Sequence, residues 1–160
     1  MSIEIERAFV ADHPPELQQL GPARPLRQGY VAREAGVEVR VRIAGGHAHL
    51  TVKSGGGMVR TEVEFEVPLD AAEALWPLTE GRRLSKDRYR VEVEGHTAEV
   101  DLYHDDLAGL CRIEVEFADA ATAQAFTPPA WFGREVTDEP GWSNGSLARH
   151  GRPDRMPGDA

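Results

Sequence analysis

The chain has 160 residues, a formal net charge of −9 and a single cysteine. That length holds one domain with a real core, and the acidic balance excludes a sequence-independent nucleic-acid binder, which needs a basic surface. Cys111 alone permits neither an intrachain disulfide nor a cysteine-rich zinc site, and no apolar run nears the ~18–20 residues that span a membrane.

The opening stretch, Met1 to Val10, alternates acidic and apolar residues without a basic leader, so no signal peptide is expected and the cytoplasm is the default location. Ile3, Ile5, Arg7 and Phe9 share one parity, and Glu4, Glu6 and Ala8 the other, which predicts a strand. After a Pro-rich stretch from Pro14 to Pro25, a second strand starts around Gly29-Tyr30. Val37, Val39, Val41 and Ile43 alternate with Glu38, Arg40 and Arg42; Leu50 and Val52 alternate with Thr51 and Lys53. The Gly55–Gly57 run then predicts a hairpin loop before Glu62, Val63, Glu64, Phe65, Glu66 and Val67.

Asp70 is a candidate N-cap for a helix over Ala71 to Thr79, with Gly81 just beyond and Pro77 disturbing the last turn. Three more alternating runs follow, at Arg88–Val93, Glu99–Leu102 and Arg112–Phe117. Asp119 is placed to cap a helix from Ala120 to Phe126, which stops before Pro128-Pro129. Ser143 to Arg149 predicts either a short closing helix or a frayed surface segment, and residues 150–160 a mobile tail behind a single domain of residues 1–149.

The polar parity of these strands is charged and sorted. Acid pairs stand at Glu4/Glu6, Glu62/Glu64, Glu99/Asp101 and Glu114/Glu116; bases stand at Arg40/Arg42, Lys53 and Lys86/Arg88. Residues two apart on a strand point the same way, roughly 7 Å apart. Alternation alone allows a solvated outer face, or a closed barrel with its charges inside and its apolar parity outside. Enclosed charges need partners. A polyphosphate with divalent cations satisfies both signs, since Arg and Lys take phosphate oxygens and carboxylates take hard cations.

The order of these segments is that of a known family. Ile3-Glu4-Ile5-Glu6-Arg7-Ala8-Phe9 resembles the Glu-x-Glu-x-Lys signature that opens CYTH proteins, the triphosphate tunnel metalloenzymes. Leu26-Arg27-Gln28-Gly29-Tyr30, Val39 to Arg42, Leu50 to Lys53, Glu62 to Glu66, Lys86 to Tyr89, Glu99 to Asp101, Ile113 to Glu116 and Pro129 to Thr137 follow in the family's order, so the resemblance covers residues 3 to 149. Leu75 to Arg83 is similar to short bacterial members that act on inorganic triphosphate.

The resemblance implies an α+β fold, an eight-stranded antiparallel closed barrel with a few flanking helices. It implies hydrolysis of the terminal phosphate of a triphosphate by metal-activated water, with Mg²⁺ or Mn²⁺ as cofactor. Glu4, Glu6, Glu114 and Glu116 would hold metal, with Asp101, Glu62 and Glu64 nearby. Arg40, Arg42, Lys53, Lys86 and Arg88 would bind the phosphates, and Glu4, Glu6, Tyr30, Lys86 and Arg88 form the catalytic set. The implied partners are a small triphosphate and, as an open option, a second copy in a homodimer, with no nucleic acid and no membrane. Thiamine triphosphatase, nucleoside triphosphatase and class IV adenylyl cyclase share such a site and would need a shelf for the organic moiety; Trp76, Trp131, Trp142 and Tyr103 are the candidates. Cys111 and the scattered histidines, among them His47, His49 and His96, fit packing or solvent better than chemistry.

One position departs from the signature: Ala8 stands where the family has lysine. On the sequence alone this removes an inward ammonium and leaves space, predicting weakened catalysis or, at the extreme, a triphosphate-binding sensor without turnover.

Overall fold

Eight long strands form most of the chain in the computed structural model, which describes residues 2–155. They are β1 (Ser2–Val10), β2 (Arg24–Glu34), β3 (Val37–Ala44), β4 (His47–Gly56), β5 (Val59–Val67), β6 (Arg83–Val93), β7 (His96–Tyr103) and β8 (Cys111–Glu116). All neighbours run antiparallel in the order β5-β4-β3-β2-β6-β7-β8-β1, and β1 pairs back to β5. The expected eight-stranded closed barrel therefore forms, with no free edge over most of its length.

β1 is the seam. Ser2–Ile5 pair with β5, whereas Glu6–Val10 pair with β8. A two-residue strand, β9 (Arg134–Glu135), pairs with Phe9 and Val10 on the side that β5 has left. The β4–β5 hairpin turns as expected at its glycines, where Gly55 and Gly57 take positive φ (93° and 68°), a region costly for side chains with a Cβ.

Period-2 alternation becomes inside and outside. Phe9, Tyr89, Val100, Ile113 and Val115 point outward and are covered by α3 (Ala120–Ala125), Phe126 and Phe132. A second outer cluster, Val41, Ile43 and Ala48, lies under Ala72 of α2 (Leu69–Leu75) and Trp76. Each large side chain so covered contributes on the order of 1.5–3 kcal/mol. Ile3, Val63 and Phe65 stay exposed on the outer face of β1 and β5.

α3 starts as expected: the Asp119 carboxylate accepts from Thr122 N–H at 2.7 Å. α2 corrects the sequence reading. It begins at Leu69 after Pro68, so Asp70 lies in its first turn, where its carboxylate favours the helix N-terminus. The helix stops at Leu75, because Pro77 has no N–H to donate; Trp76–Thr79 form a 3-10 turn instead. That turn presses on β2 so closely that a Cβ at Gly29 would lie 2.5 Å from Thr79 Oγ1. A single helical turn, α1 (Leu17–Leu20), has no counterpart in the sequence reading.

One end of the barrel is plugged. Ser143 caps α4 (Asn144–His150), accepting from Ser146 N–H at 3.2 Å. Leu147 and Trp142 pack into an interior cluster with Ala8, Val10, Leu84, Tyr103, Leu107, Leu110 and Val136. The closing helix, one of two readings of Ser143–Arg149, is the one formed. The region expected as a tail divides: His150 ends α4, Arg152 lies over the Trp142 ring at 5.9 Å, and residues 156–160 fall outside the described residues. Among the described residues, no helix is long and apolar enough to cross a membrane.

Candidate active site

Above the plug, the charged parity encloses a cavity of about 410 Å³. Glu4 and Glu6 of β1, Glu62 and Glu64 of β5, Glu99 of β7, and Glu114 and Glu116 of β8 line it. So do Arg24 of β2, Arg40 and Arg42 of β3, His49 and Lys53 of β4, Arg88 and Arg90 of β6, and Asn144 from the plug. The charges therefore face inward, and the solvated-face alternative falls. Leu26 is the one apolar lining residue among those described.

Strand register puts like charges directly opposite each other. Glu6 faces Glu116 across β1–β8, and Glu99 faces Glu114 across β7–β8. Arg24 faces Arg88 across β2–β6. Such pairs are destabilising in a bare sheet, and the wider crowding of carboxylates shows in the proton affinities. Glu114 raises the Glu6 carboxyl, helped by burial. A hydrogen bond with Glu4, then burial and the negative charges of Glu4, Glu6 and Glu99, push Glu116 up to about 8. The same bond lowers Glu4. Burial opposes ionisation of Glu114, yet Arg112, Arg88, Lys86 and Lys53 hold it well below the usual carboxylate range.

The basic wall is short of partners in the same way. Arg40 donates to Thr51 Oγ1 at 3.2 Å and lies 3.6 Å from Glu64, but its buried Nε has no acceptor. Thr51 in turn donates to Glu64 at 2.9 Å. Arg42 reaches Gln28 Oε1 at 3.2 Å and is drawn down to about 10, first by burial and then by Arg40 and Arg88. Lys53 sits 3.5 Å from Glu62 and is lowered by burial and by Arg40. Arg60, which shares the parity of Glu62 and Glu64, lies 3.8 Å from Glu6 and also has a buried Nε without acceptor. Arginine crowding with orphaned donors is a site built for an anion.

Six of the seven acids expected to hold metal thus line the cavity: Glu4, Glu6, Glu62, Glu64, Glu114 and Glu116. The seventh is corrected. Asp101 is fully buried and does not line the cavity; its carboxylate is held by Arg88 Nε (2.8 Å), Arg88 Nη2 (2.9 Å) and Lys86 Nζ (2.7 Å), which commits it to those two cations. Burial resists that charge, but Lys86 and Arg88 keep Asp101 low, at about 2.

Among the basic residues, Arg40, Arg42, Lys53 and Arg88 reach the cavity, while Lys86 does not. Lys86 is fully buried between Asp101 and the Asn144 side chain (3.3 Å), and burial pulls it below the ordinary lysine range. Tyr30 lies deeper still. Its hydroxyl accepts from Gln28 Nε2 at 2.9 Å, and Arg149 covers its ring at 5.3 Å, so it supports the plug and does not reach the cavity. Ala8 is inward, as parity demands, but no space remains there: it is 5% exposed within the apolar plug.

Arg24, Arg60, Arg90, Asn144 and the buried Arg112 were not singled out from the sequence. Arg60 and Arg112 carried a usable signal, the parity of their neighbouring acid pairs; Asn144 carried none, since only the plug brings it to the floor. His49 lines the cavity and so is not merely solvent-exposed. Among the described residues, no three of His, Cys, Asp and Glu converge into a ready-made cage for a cation. The donor set nonetheless suits one. All its members are hard oxygen ligands, and the opposed Glu6–Glu116 and Glu99–Glu114 pairs call for positive charge.

Comparison with known proteins agrees with this geometry. Residues 3–150 match the CYTH domain. The inorganic triphosphatase of Nitrosomonas europaea is 42% identical over 147 residues, which cover 91% of this chain and 96% of that protein. The inorganic triphosphatase of Acetivibrio thermocellus is 36% identical over 152 residues, 94% and 96% of the two chains. A solved structure of an inorganic triphosphatase superposes with a TM-score of 0.69, at 38% identity and 99% coverage of both chains. By the extent of the domain match and by these identities, the chain belongs to the CYTH domain family.

Proposed function

We propose that this protein hydrolyses inorganic triphosphate, releasing orthophosphate and leaving pyrophosphate, with a divalent cation, Mg²⁺ or Mn²⁺. One observation carries the reading: a single cavity has an acidic wall of directly opposed glutamates and a basic wall of crowded arginines. A bare phosphate chain with its cations satisfies both walls. Relatives at 42% and 36% identity are named for that activity.

The substrate choice rests on what the lining lacks. A thiamine or nucleoside group needs an aromatic or apolar shelf, and no Phe, Tyr or Trp is among the described lining residues. Trp76 lies outside the barrel beneath Arg27 and Arg83, Trp131 packs on Phe132, and Trp142 and Tyr103 belong to the plug.

Within that reading, Arg40, Arg42, Arg88 and Lys53 bind the non-bridging oxygens and offset the charge that grows on them in the transition state. Glu4, Glu6, Glu114 and Glu116 would hold the cation, with Glu62 and Glu64 close by. When bound, the cation supplies charge neutralisation and a water activated for in-line attack. Asn144 and the Lys86–Asp101–Arg88 group form a rigid floor that fixes Arg88. The catalytic unit is residues 1–149, and the cytoplasm, with its reduced thiols, suits the single buried cysteine.

Phosphate release from inorganic triphosphate, ATP and thiamine triphosphate, with Mg²⁺, Mn²⁺ or EDTA, tests the proposal. Fastest release from inorganic triphosphate, abolished by EDTA, is the expected result. Metal-dependent binding without release from any of the three replaces the enzyme with a sensor.

A further inference from the structure

The missing signature lysine has a counterpart inside the barrel. Across β1–β8, Ala8 stands opposite Glu114, and Val10 opposite Arg112. Arg112 is therefore the diagonal neighbour of Ala8 on the same inner face, within reach of long side chains. It is 3% exposed and carries an obligatory positive charge. Its Nη1 donates to Glu114 Oε1, and its Nε donates to the Trp142 carbonyl at 3.0 Å, just before the plug helix. Among the described residues, Glu114 is the one acid in ion-pair contact with it, and Glu114 lines the cavity.

We propose that Arg112 is a positioning residue that replaces the signature lysine: it reaches Glu114 from β8, where a lysine at position 8 would reach it from β1, and fixes that carboxylate in the site. The assignment rests on the triphosphatase reading for its catalytic consequence and on the geometry alone for the exchange. It explains how Ala8 coexists with an otherwise complete set of charges. A small residue at 8 leaves room for the plug and for a guanidinium; a lysine there would place a second cation beside Glu114 and drive an ammonium into the apolar cluster. The guanidinium also makes a link that an ammonium from β1 would not replace, because one planar group holds both the active-site acid and the backbone of the plug.

The two positions are then coupled with opposite signs, so Ala8 by itself does not weaken catalysis, against the expectation from the sequence, and Ala8→Lys alone impairs it. The test is a cycle of Ala8→Lys, Arg112→Met and the double variant. Its readouts are kcat and KM for inorganic triphosphate with Mg²⁺, calorimetric affinity for triphosphate with Mg²⁺, and melting in EDTA. Arg112→Met is expected to lower kcat about tenfold or more, with a smaller change in KM. Ala8→Lys alone lowers both turnover and melting temperature. The double variant recovers kcat to within about threefold of the native chain, while its melting temperature stays low because the Trp142 carbonyl has lost its donor.

Unchanged kcat in Arg112→Met overturns the proposal, and so does a folded double variant no more active than Arg112→Met. If the double variant does not fold, Arg112→Lys is compared with Arg112→Met: turnover kept by lysine alone upholds the exchange, and equal loss in both refutes it. If the native chain itself releases no phosphate, the hydrolase reading fails separately. The cycle is then read in triphosphate affinity, where loss in Arg112→Met and recovery on adding Ala8→Lys still uphold it, and additive effects refute it.

Discussion

Arg88 clamps Asp101 with two parallel hydrogen bonds, Nε to Oδ1 at 2.8 Å and Nη2 to Oδ2 at 2.9 Å, while Lys86 closes on Oδ2 from 2.7 Å. Removing the acid would leave the buried Lys86 without a carboxylate partner and Arg88 with Glu99 at 3.0 Å. Asp101→Asn is expected to cost about 3–5 kcal/mol, the usual penalty for breaking a buried pair by deleting one partner. Urea unfolding at pH 7 measures it; a loss below about 1 kcal/mol would contradict the anchoring role.

The same group sets an acid limb in stability. The folded pKa of Asp101, about 2, lies below the unfolded value of about 3.9. Its contribution is thus fully present above about pH 4 and is lost as pH falls through the window from about 4 to 2. Comparing native and Asp101→Asn unfolding from pH 6 to pH 2 shows whether the two curves converge at the acid end, as expected.

The acidic wall is expected to trade stability for function. Glu6 is raised by Glu114 and directly faces Glu116, so its charge is a net strain without a cation. Glu6→Gln should raise the melting temperature in EDTA by about 1–3 °C, the equivalent of several tenths of a kcal/mol. It should at the same time abolish metal-dependent phosphate release. A lower melting temperature in EDTA would mean that Arg60 and Lys53 already neutralise Glu6.

Cys111 lies in the outer core beneath α3, where burial pushes its thiol up to about 12. With almost no thiolate at pH 8, it should resist a disulfide reagent in the native state and react once the chain is unfolded. Rapid labelling of the folded enzyme would show local opening of the β7–β8 face.

At Gly29, a new Cβ would lie 2.5–2.9 Å from three atoms of the Thr79 side chain. Thr79 cannot yield cheaply. It is buried and β-branched, donates to the Trp76 carbonyl at 2.7 Å and accepts from Arg83 Nε at 2.9 Å. Gly29→Ala is therefore expected to destabilise by about 1–3 kcal/mol, more than the modest entropic gain from replacing glycine. Thermal melting decides the sign.

Parity was the readable part of this protein. Period-2 alternation told inside from outside, and so gathered Glu4, Glu6, Glu62, Glu64, Glu114 and Glu116 with Arg40, Arg42, Lys53 and Arg88 around one cavity. Depth along the barrel was not readable. Tyr30, Lys86, Asp101 and Ala8 share the inward parity but lie at or below the floor, and the floor is set by strand stagger and by α4. Both are tertiary outcomes with no local signal. Asp70 shows a smaller failure of the same kind: its capping chemistry was right for a helix start, but Pro68 had already turned the chain two residues earlier. Arg112 has the inward parity of Glu114, but its relation to position 8 crosses two strands far apart in sequence.

The seam in β1 has a consequence for how the enzyme comes into being. Glu6 is made well before Glu116, the residue it faces across β1–β8, which emerges more than one hundred residues later. The first strand of the barrel is thus the one that closes the ring, and β9 and the plug follow later still. A ribosome interrupted before β8 releases a product that lacks Glu114 and Glu116, with an open sheet edge and no floor. Catalytic competence is in this way deferred until β8, β9 and the plug have been made.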